Sequence, residues 1–134
     1  MRLSGPGAFE VADKLLPRTK ASPEVRCPTL TDVLDPDSHE VLDRAVVTFF
    51  EGPASYTGEN MVEFSCHGGY VVPGLVEDAC RRAGARQADP GEFTRRAYLH
   101  GKLDLTQAEA VADLIEARSR AAHRAAVQQL DRGL

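Results

Sequence analysis

Apolar side chains recur with two different periods along the first half of the chain. Between Pro6 and Pro17 they return every three or four residues, at positions 8, 12, 15 and 16. That is the spacing of one face of an α-helix. Proline is tolerated in the first turn of a helix and disrupts it further along. The pattern therefore predicts a first helix over residues 6–16.

Two runs of extended character follow, over residues 25–33 and 41–50, and the turn-forming cluster at residues 35–39 separates them. Aspartate, proline and serine favour tight turns, so the two runs predict a β-hairpin. The end of the second run, residues 45–50, is almost entirely β-branched or aromatic. This composition predicts a central strand that is covered on both faces.

Residues 61–66 alternate between apolar and polar side chains and predict a further strand. Successive side chains of a strand point in opposite directions. Val62 and Phe64 should therefore lie on one face, with Glu63 and Ser65 on the other. Glu63 is the charged residue of an otherwise apolar strand, and its carboxylate must either face water or meet a hydrogen-bond donor.

The second half of the sequence is helical in pattern. Apolar positions at helical spacing over residues 72–83 predict a helix that ends at Gly84, and we expect a short helix near Pro90. Thr106 and Glu109 have the spacing of a capping box, in which each side chain binds the other's free backbone N–H. We therefore expect a long helix from Thr106 to about residue 130.

That last helix is longer than a domain of this size needs, and its apolar stripe is mostly alanine, so we expect it to pack on something outside the domain. The order of elements is helix, hairpin, strand, helix, irregular segment and long helix. It predicts an α+β fold: a mixed sheet with two packed helices, followed by a long C-terminal helix.

Composition and charge narrow the class of protein. Hydrophobic residues make up 43% of the 134 positions and charged residues 27%, which is typical of a globular domain. The net charge of −4 gives no general attraction to a phosphate backbone, so any nucleic-acid contact must be local or made elsewhere. No run is apolar enough for a membrane span or a signal peptide, and we expect a cytoplasmic protein without membrane contact.

The cysteines and glycines suggest several chemistries, none of them strongly. Cys27, Cys66 and Cys80 are odd in number and lack a C-x-x-C pair, which argues against a disulfide framework and a zinc site. Cys66 and His67 are adjacent, but neighbouring strand residues point apart, so a nucleophile and base pair is disfavoured. The glycines at residues 68–69 predict a turn, and the helix start after them could hold an anion.

No window of the sequence matches a P-loop, since the Gly-Lys pair at residues 101–102 is followed by leucine. We therefore expect no GTP hydrolysis, no catalytic residue and no metal site in this chain. The candidate binding residue is Glu63, because the N3–H and 2-amino group of a pterin ring match the two oxygens of a carboxylate. From the residues alone, a solvated sheet face is the more common explanation of such a carboxylate. Arg2 and Lys102 could position polar groups of a ligand, although arginine and lysine are most often surface charges.

Five segments of the sequence resemble the family of the tRNA modification GTPase MnmE, also called TrmE, in the same order. They cover nearly the whole chain, and the last two are long and nearly continuous. The segments are RLSGP at residues 2–6, SYTGENMVE at 55–63, CHGG at 66–69, PGEFTRRA at 90–97 and GKLDLTQAEAVADLI at 101–115.

The resemblance implies a fold related to the folate-binding domains of aminomethyltransferases. It implies a folate-binding and dimerisation domain over residues 1–103, with the first family strand missing, and the first helix of a helical domain over residues 104–134. The ligand would be 5-formyltetrahydrofolate or 5,10-methylenetetrahydrofolate, and the matched ligand positions are Arg2, Glu63 and Lys102. GTP, magnesium and potassium would bind only in a G domain that is absent from this chain.

The family also implies partners. The domain would form a homodimer, and with the FAD-dependent protein MnmG the whole protein would install an aminomethyl-type group at C5 of the wobble uridine of tRNA. Two alternatives stay open on the sequence alone. One is a structural dimerisation module that has lost its ligand. The other is a self-sufficient aminomethyltransferase-like enzyme, which lacks a visible general base.

Overall fold

The structure is a computed structural model, and it describes residues 1–18, 24–66 and 71–131. Four strands and four helices confirm the expected α+β class, with a long helix at the C-terminal end. In chain order they are β1 (Arg2–Ser4), α1 (Ala8–Lys14), β2 (Thr29–Leu34), β3 (Val41–Phe50), β4 (Met61–Ser65), α2 (Val71–Arg82), α3 (Glu92–Leu99) and α4 (Leu105–Asp131). They form two compact units, Met1–Gln87 and Ala88–Leu134.

The four strands form one sheet in the order β1-β4-β3-β2. All three pairings between these strands are antiparallel, including the predicted hairpin of β2 and β3. The sheet was expected to be mixed, and the parallel contact in the described part of the chain is an isolated bridge between Val25 and Phe49. Regular pairing of β2 begins only at Thr29, later than predicted. Arg26 has a positive φ of 60° and Pro28 has no N–H to donate, so the ladder cannot start earlier.

Helices α1 and α2 cover one face of the sheet and enclose the core with it. The rings of Phe9 and Phe49 meet edge to face with centroids 5.2 Å apart, a favourable arrangement for aromatic pairs. The buried apolar residues are Leu3, Ala8, Ala12, Leu15, Val33, Ala45, Val47, Phe49, Val62, Phe64, Val76, Ala79, Cys80 and Ala83.

The prediction that the central strand β3 is covered on both faces is wrong. Ala45, Val47 and Phe49 are buried, but the residues between them are only half-buried. The two helices of this unit pack on the same side of the sheet, so the alternate side chains of β3 keep contact with solvent. An unbroken apolar run therefore does not identify a doubly covered strand.

Two polar contacts join α1 to its neighbours, one to the sheet and one to α2. The backbone N–H of Leu34 in β2 donates to the carbonyl of Leu15 at 2.7 Å, just after α1. Lys14 Nζ donates to the carbonyl of Ala83 at 3.0 Å, at the end of α2. Carbonyls at helix ends lack partners within the helix, so the lysine both satisfies one of them and complements the helix dipole.

An arginine clamp joins the end of α2 to the turn between β2 and β3. Arg82 donates to Asp35 at 2.8 Å and to Asp37 at 2.8 Å across the two elements, and to Asp78 at 3.0 Å within its own helix. The Arg82 hydrogen bonds, with backbone N–H donation from Ser38 and Asp37, hold the pKa of the Asp35 carboxyl well below its usual range. The three carboxylates accept hydrogen bonds from all three nitrogens of the guanidinium.

The second unit contains α3 and α4, and here the predicted capping box is wrong. Asp104 Oδ1 accepts from the backbone N–H of Gln107 at 2.7 Å, and Gln107 Oε1 accepts from the backbone N–H of Asp104 at 3.0 Å. The box is therefore Asp104 with Gln107, and the helix begins before Thr106. Aspartate serves as well as threonine at this position. No helix in the described ranges is both long and apolar enough to cross a membrane.

Candidate functional site

The face of the sheet opposite α1 and α2 carries the charged pair that the sequence singled out. In the register of the sheet Arg2 of β1 lies beside Glu63 of β4, and Glu63 lies beside Thr48 of β3. Directly paired residues of neighbouring strands point to the same side. The three side chains therefore form one polar row across the sheet, on the face that the helices leave uncovered.

Arg2 and Glu63 form an ion pair within this row. Arg2 Nε lies 3.4 Å from Glu63 Oε1, and the side chains are 51% and 41% exposed. Charge-assisted hydrogen bonds are usually 2.7–2.9 Å long, so the contact is loose. A half-exposed carboxylate held in this way can still accept hydrogen bonds from a ligand.

The loop that joins β3 to β4, residues 51–60, covers one end of the same face. Its Tyr56 ring lies against Arg2, with the Arg2 Cζ atom 5.8 Å from the ring centroid. This distance is within the range of cation–π attraction. Thr57 in the same loop is completely buried. The 51–60 loop therefore contributes both to the surroundings of Arg2 and to the packed part of this face.

Hydrogen bonds fix the 51–60 loop to strand β1. Ser4 Oγ lies 2.8 Å from Thr57 Oγ1 and donates to Glu59 Oε1 at 3.1 Å. Thr57 Oγ1 also accepts from the backbone N–H of Glu59 at 3.2 Å. Ser4 is the second residue after Arg2, on the same face of the strand, so this network joins the loop directly to the strand that carries the ion pair.

The base of the loop is tied by Asn60 and leaves no room at Gly52. Asn60 Oδ1 accepts from the backbone N–H of Gly52 at 2.9 Å, and the Asn60 carbonyl accepts from Gly5 N at 3.0 Å. A Cβ atom at Gly52 would come within 2.7 Å of the Gly58 carbonyl oxygen, so only glycine fits there. Sequence reasoning did not identify these loop residues as part of a site. Their polar composition was the available signal, and it marks any loop.

Lys102, the third predicted ligand residue, belongs to the second compact unit. Helix α3 ends there in a two-bond motif: the N–H of Gly101 donates to Tyr98 and the N–H of Lys102 donates to Ala97. Gly101 has a φ of 73°, as this type of helix end requires. Lys102 is exposed. The structure thus brings Arg2 and Glu63 together within the first unit, and the role of Lys102 stays a prediction.

The remaining candidates do not add a reactive group. Burial raises the pKa of the Cys66 thiol, and burial raises that of Cys80 to about 12, which disfavours the nucleophilic thiolate. His67 and the glycines at residues 68–69 lie outside the described residues. Arg96 is engaged by Glu92 of its own helix at 2.8 Å. Within the described ranges, no three metal-binding side chains are grouped together.

Comparison with known proteins identifies the family. The family model described as the N-terminus of the GTP-binding protein TrmE matches residues 1–102. Among similar proteins, one from Cytophaga hutchinsonii is 47% identical over 134 residues and one from Nitratiruptor sp. is 43% identical over 131 residues. Each bears the name tRNA modification GTPase MnmE. The alignments cover 99% and 97% of this chain but only 29% and 28% of the relatives, so the chain spans less than a third of their length.

Proposed function

The chain belongs to the family defined by the N-terminus of the GTP-binding protein TrmE, and on that premise we propose that it binds a one-carbon tetrahydrofolate, either the 5-formyl or the 5,10-methylene form. The binding residues in this proposal are Arg2, Glu63 and Lys102. The observation that carries it is the Glu63 carboxylate, which stands on the uncovered face of the sheet, 41% exposed and loosely paired with Arg2.

The chemistry of the pterin ring suits this carboxylate. The ring presents two neighbouring donors, N3–H and the 2-amino group, on one edge, and a carboxylate offers two acceptor oxygens at matching separation. Arg2 orients the carboxylate without a close hydrogen bond. Lys102 supplies a positive charge for the carboxylates of the folate tail. A bound one-carbon folate would supply the carbon unit that is transferred to an acceptor.

A titration of the chain with 5-formyltetrahydrofolate by calorimetry tests the proposal. We expect saturable binding, and we expect Glu63→Gln to weaken it about 10- to 100-fold, because hydrogen bonds to a charged acceptor contribute about 1.5–3 kcal/mol. Asp32 provides a matched control. It is a sheet carboxylate of similar exposure, 43%, loosely paired with Arg44 at 4.0 Å. Asp32→Asn should leave the affinity unchanged, and equal losses for both variants would remove Glu63 from the site.

The uncovered face also supports the proposal that the chain forms a homodimer. Leu30 of β2 is 58% exposed and lies directly beside Val46 of β3 in the register of the sheet. Val46 and Phe50 are half-buried on the same face. Exposed apolar side chains grouped on a sheet face are typical of contact surfaces. Sedimentation of Leu30→Lys should give a monomer, whereas Leu114→Lys on helix α4 should leave the dimer intact.

We further propose that this domain presents its folate within a larger protein of the cytoplasm that modifies tRNA together with the FAD-dependent protein MnmG. The relatives' printed name, tRNA modification GTPase, supports this role. The proposed product is an aminomethyl-type group at C5 of the wobble uridine. Mass spectrometry of tRNA from cells carrying Glu63→Gln in the full-length protein should find that group depleted. Binding of MnmG with no folate binding would instead favour a purely structural dimerisation module.

A further inference from the structure

Tyr56 lies against Arg2 of the Arg2 and Glu63 pair, and no part of the proposed binding scheme uses it. Its ring lies against the guanidinium, 5.8 Å from Arg2 Cζ to the ring centroid, and the residue is 39% exposed. We propose that Tyr56 is a positioning residue for the folate site: its ring holds the Arg2 guanidinium away from a close contact with Glu63. The proposal rests on the folate-binding function argued above.

The position of the ring is set by the loop and not by the arginine. Thr57, the next residue, is fully buried, and its hydroxyl is bonded to Ser4 and to the backbone of Glu59. The base of the loop is fixed by Asn60, which binds Gly52 and Gly5. Because Thr57 is fixed, the neighbouring Tyr56 loses little additional conformational entropy when its ring is held in one position. Tyr56 is therefore a fixed surface against which the flexible arginine rests.

The geometry of the pair shows what the ring prevents. Arginine and carboxylate groups favour two parallel hydrogen bonds of 2.7–2.9 Å, an arrangement that Arg82 approaches with the two oxygens of Asp35, at 2.8 and 3.2 Å. Arg2 instead stays 3.4 Å from one oxygen of Glu63. A closely bound guanidinium would occupy the acceptors that the pterin donors need. By offering the cation an aromatic face, Tyr56 leaves the carboxylate available to the ligand.

Removal of the ring should therefore weaken folate binding, and only when Arg2 is present. We expect Tyr56→Leu to raise the dissociation constant for 5-formyltetrahydrofolate about two- to fivefold, the size of a cation–π contact at an exposed site. Tyr56→Phe keeps the ring and should restore most of the affinity that Tyr56→Leu loses. Tyr98→Leu is the matched control, since Tyr98 is 41% exposed and lies on α3, and it should change nothing.

A double-mutant cycle separates positioning from direct contact. In the Arg2→Ala background, Tyr56→Leu should have no further effect on affinity. An equal loss in both backgrounds would mean that Tyr56 touches the ligand itself, and it would overturn the proposal. If Tyr56 only stabilised the loop, Tyr56→Leu would cause the same loss of affinity with and without Arg2. That result would also overturn the proposal.

Nuclear magnetic resonance of the ligand-free protein gives a second measurement that does not depend on folate. The ring current of Tyr56 should shift the Arg2 Nε–H proton, and the shift should disappear in Tyr56→Leu and persist in Tyr56→Phe and Tyr98→Leu. An unchanged Arg2 resonance in Tyr56→Leu would overturn the positioning role. If the unmodified chain bound no folate, the proposed function would fail, and this resonance alone would decide whether Tyr56 positions Arg2.

Discussion

The two faces of strand β4 differ sharply although they belong to the same five residues. On one face Val62 and Phe64 are fully enclosed by the helices, at 0% and 1% exposure. On the other, Glu63 keeps 41% of its side chain exposed and forms a loose ion pair, and Ser65 is exposed, whereas Met61, at the end next to the 51–60 loop, is buried. Because side chains alternate along a strand, one short segment supplies both the core and the candidate site.

In this strand, substitutions at neighbouring positions should therefore affect either stability or binding, and not both. Atoms removed from the enclosed face leave a cavity that the packed helices cannot fill. A side chain changed on the exposed part of the other face, at Glu63 or Ser65, exchanges protein contacts for water at little cost. Each face can therefore be altered alone, and the size of the effect on unfolding should report which face was altered.

The largest effect is expected at Phe64. Phe64→Ala should lower the free energy of unfolding by about 3–5 kcal/mol, because it removes a fully buried ring and leaves a cavity in the core. Urea denaturation monitored by circular dichroism measures the change. Ser65→Ala changes the next residue, which lies on the opposite, open face, and should lower the free energy of unfolding by less than about 0.5 kcal/mol. Similar losses for the two variants would show that the helices do not enclose one face alone.

Substitution of Thr57 should have the next largest effect on the free energy of unfolding, because Thr57 lies at the end of the open face that the 51–60 loop covers. Thr57→Val keeps the shape but removes the hydroxyl that Ser4 and the backbone N–H of Glu59 use. A buried group left without its partner costs about 1–3 kcal/mol of stability. Thr57→Ser keeps the hydroxyl and should lose less than half as much in the same urea experiment. Equal losses would mean that the methyl group of Thr57 contributes as much to stability as its hydroxyl, and that the hydrogen bonds are not the dominant contribution.

A smaller effect, dependent on pH, is expected on the side of the helices. The pKa of Asp35 is lowered in the folded protein, mainly by Arg82, so the clamp stabilises the fold above the ordinary carboxyl pKa of about 3.9. This contribution declines as the pH falls below about 4, where Asp35 of the unfolded chain takes up a proton, and it is fully lost only when the pH reaches the lowered pKa of the folded state. Thermal unfolding between pH 7 and pH 2.5 should show a shallower acid decline for Arg82→Gln. Parallel curves for the two proteins would mean that Asp35 gains nothing from the clamp.

The sequence predicted β4 well, because its alternation is unambiguous and assigns Glu63 to the face opposite Val62 and Phe64. The hairpin of β2 and β3 was also predictable, since turn residues separate two extended runs. The fold class followed from the order of these elements. In each case the deciding information lies within a few neighbouring residues.

The wrong predictions concern features that depend on distant parts of the chain, or sequence patterns that fit more than one interpretation. The run over residues 45–50 is apolar throughout, so it could not reveal that the helices cover only one side of β3. At the start of α4, Asp104 and Thr106 both fit a capping box, and only the hydrogen bonds distinguish them. The contact between Tyr56 and Arg2 joins residues 54 positions apart, which no local pattern reports.

The smallest effect on stability is expected at Glu63, where the effect on binding should be large. Glu63→Gln breaks a half-exposed ion pair at 3.4 Å, and such pairs contribute about 0–1 kcal/mol. The urea midpoint should therefore move very little, while affinity for 5-formyltetrahydrofolate falls as argued above. Glu63→Leu should give the same result, since the open face tolerates an apolar side chain. A loss of stability comparable to that of Phe64→Ala would mean that Glu63 is a structural residue, and that the two faces of β4 are not independent.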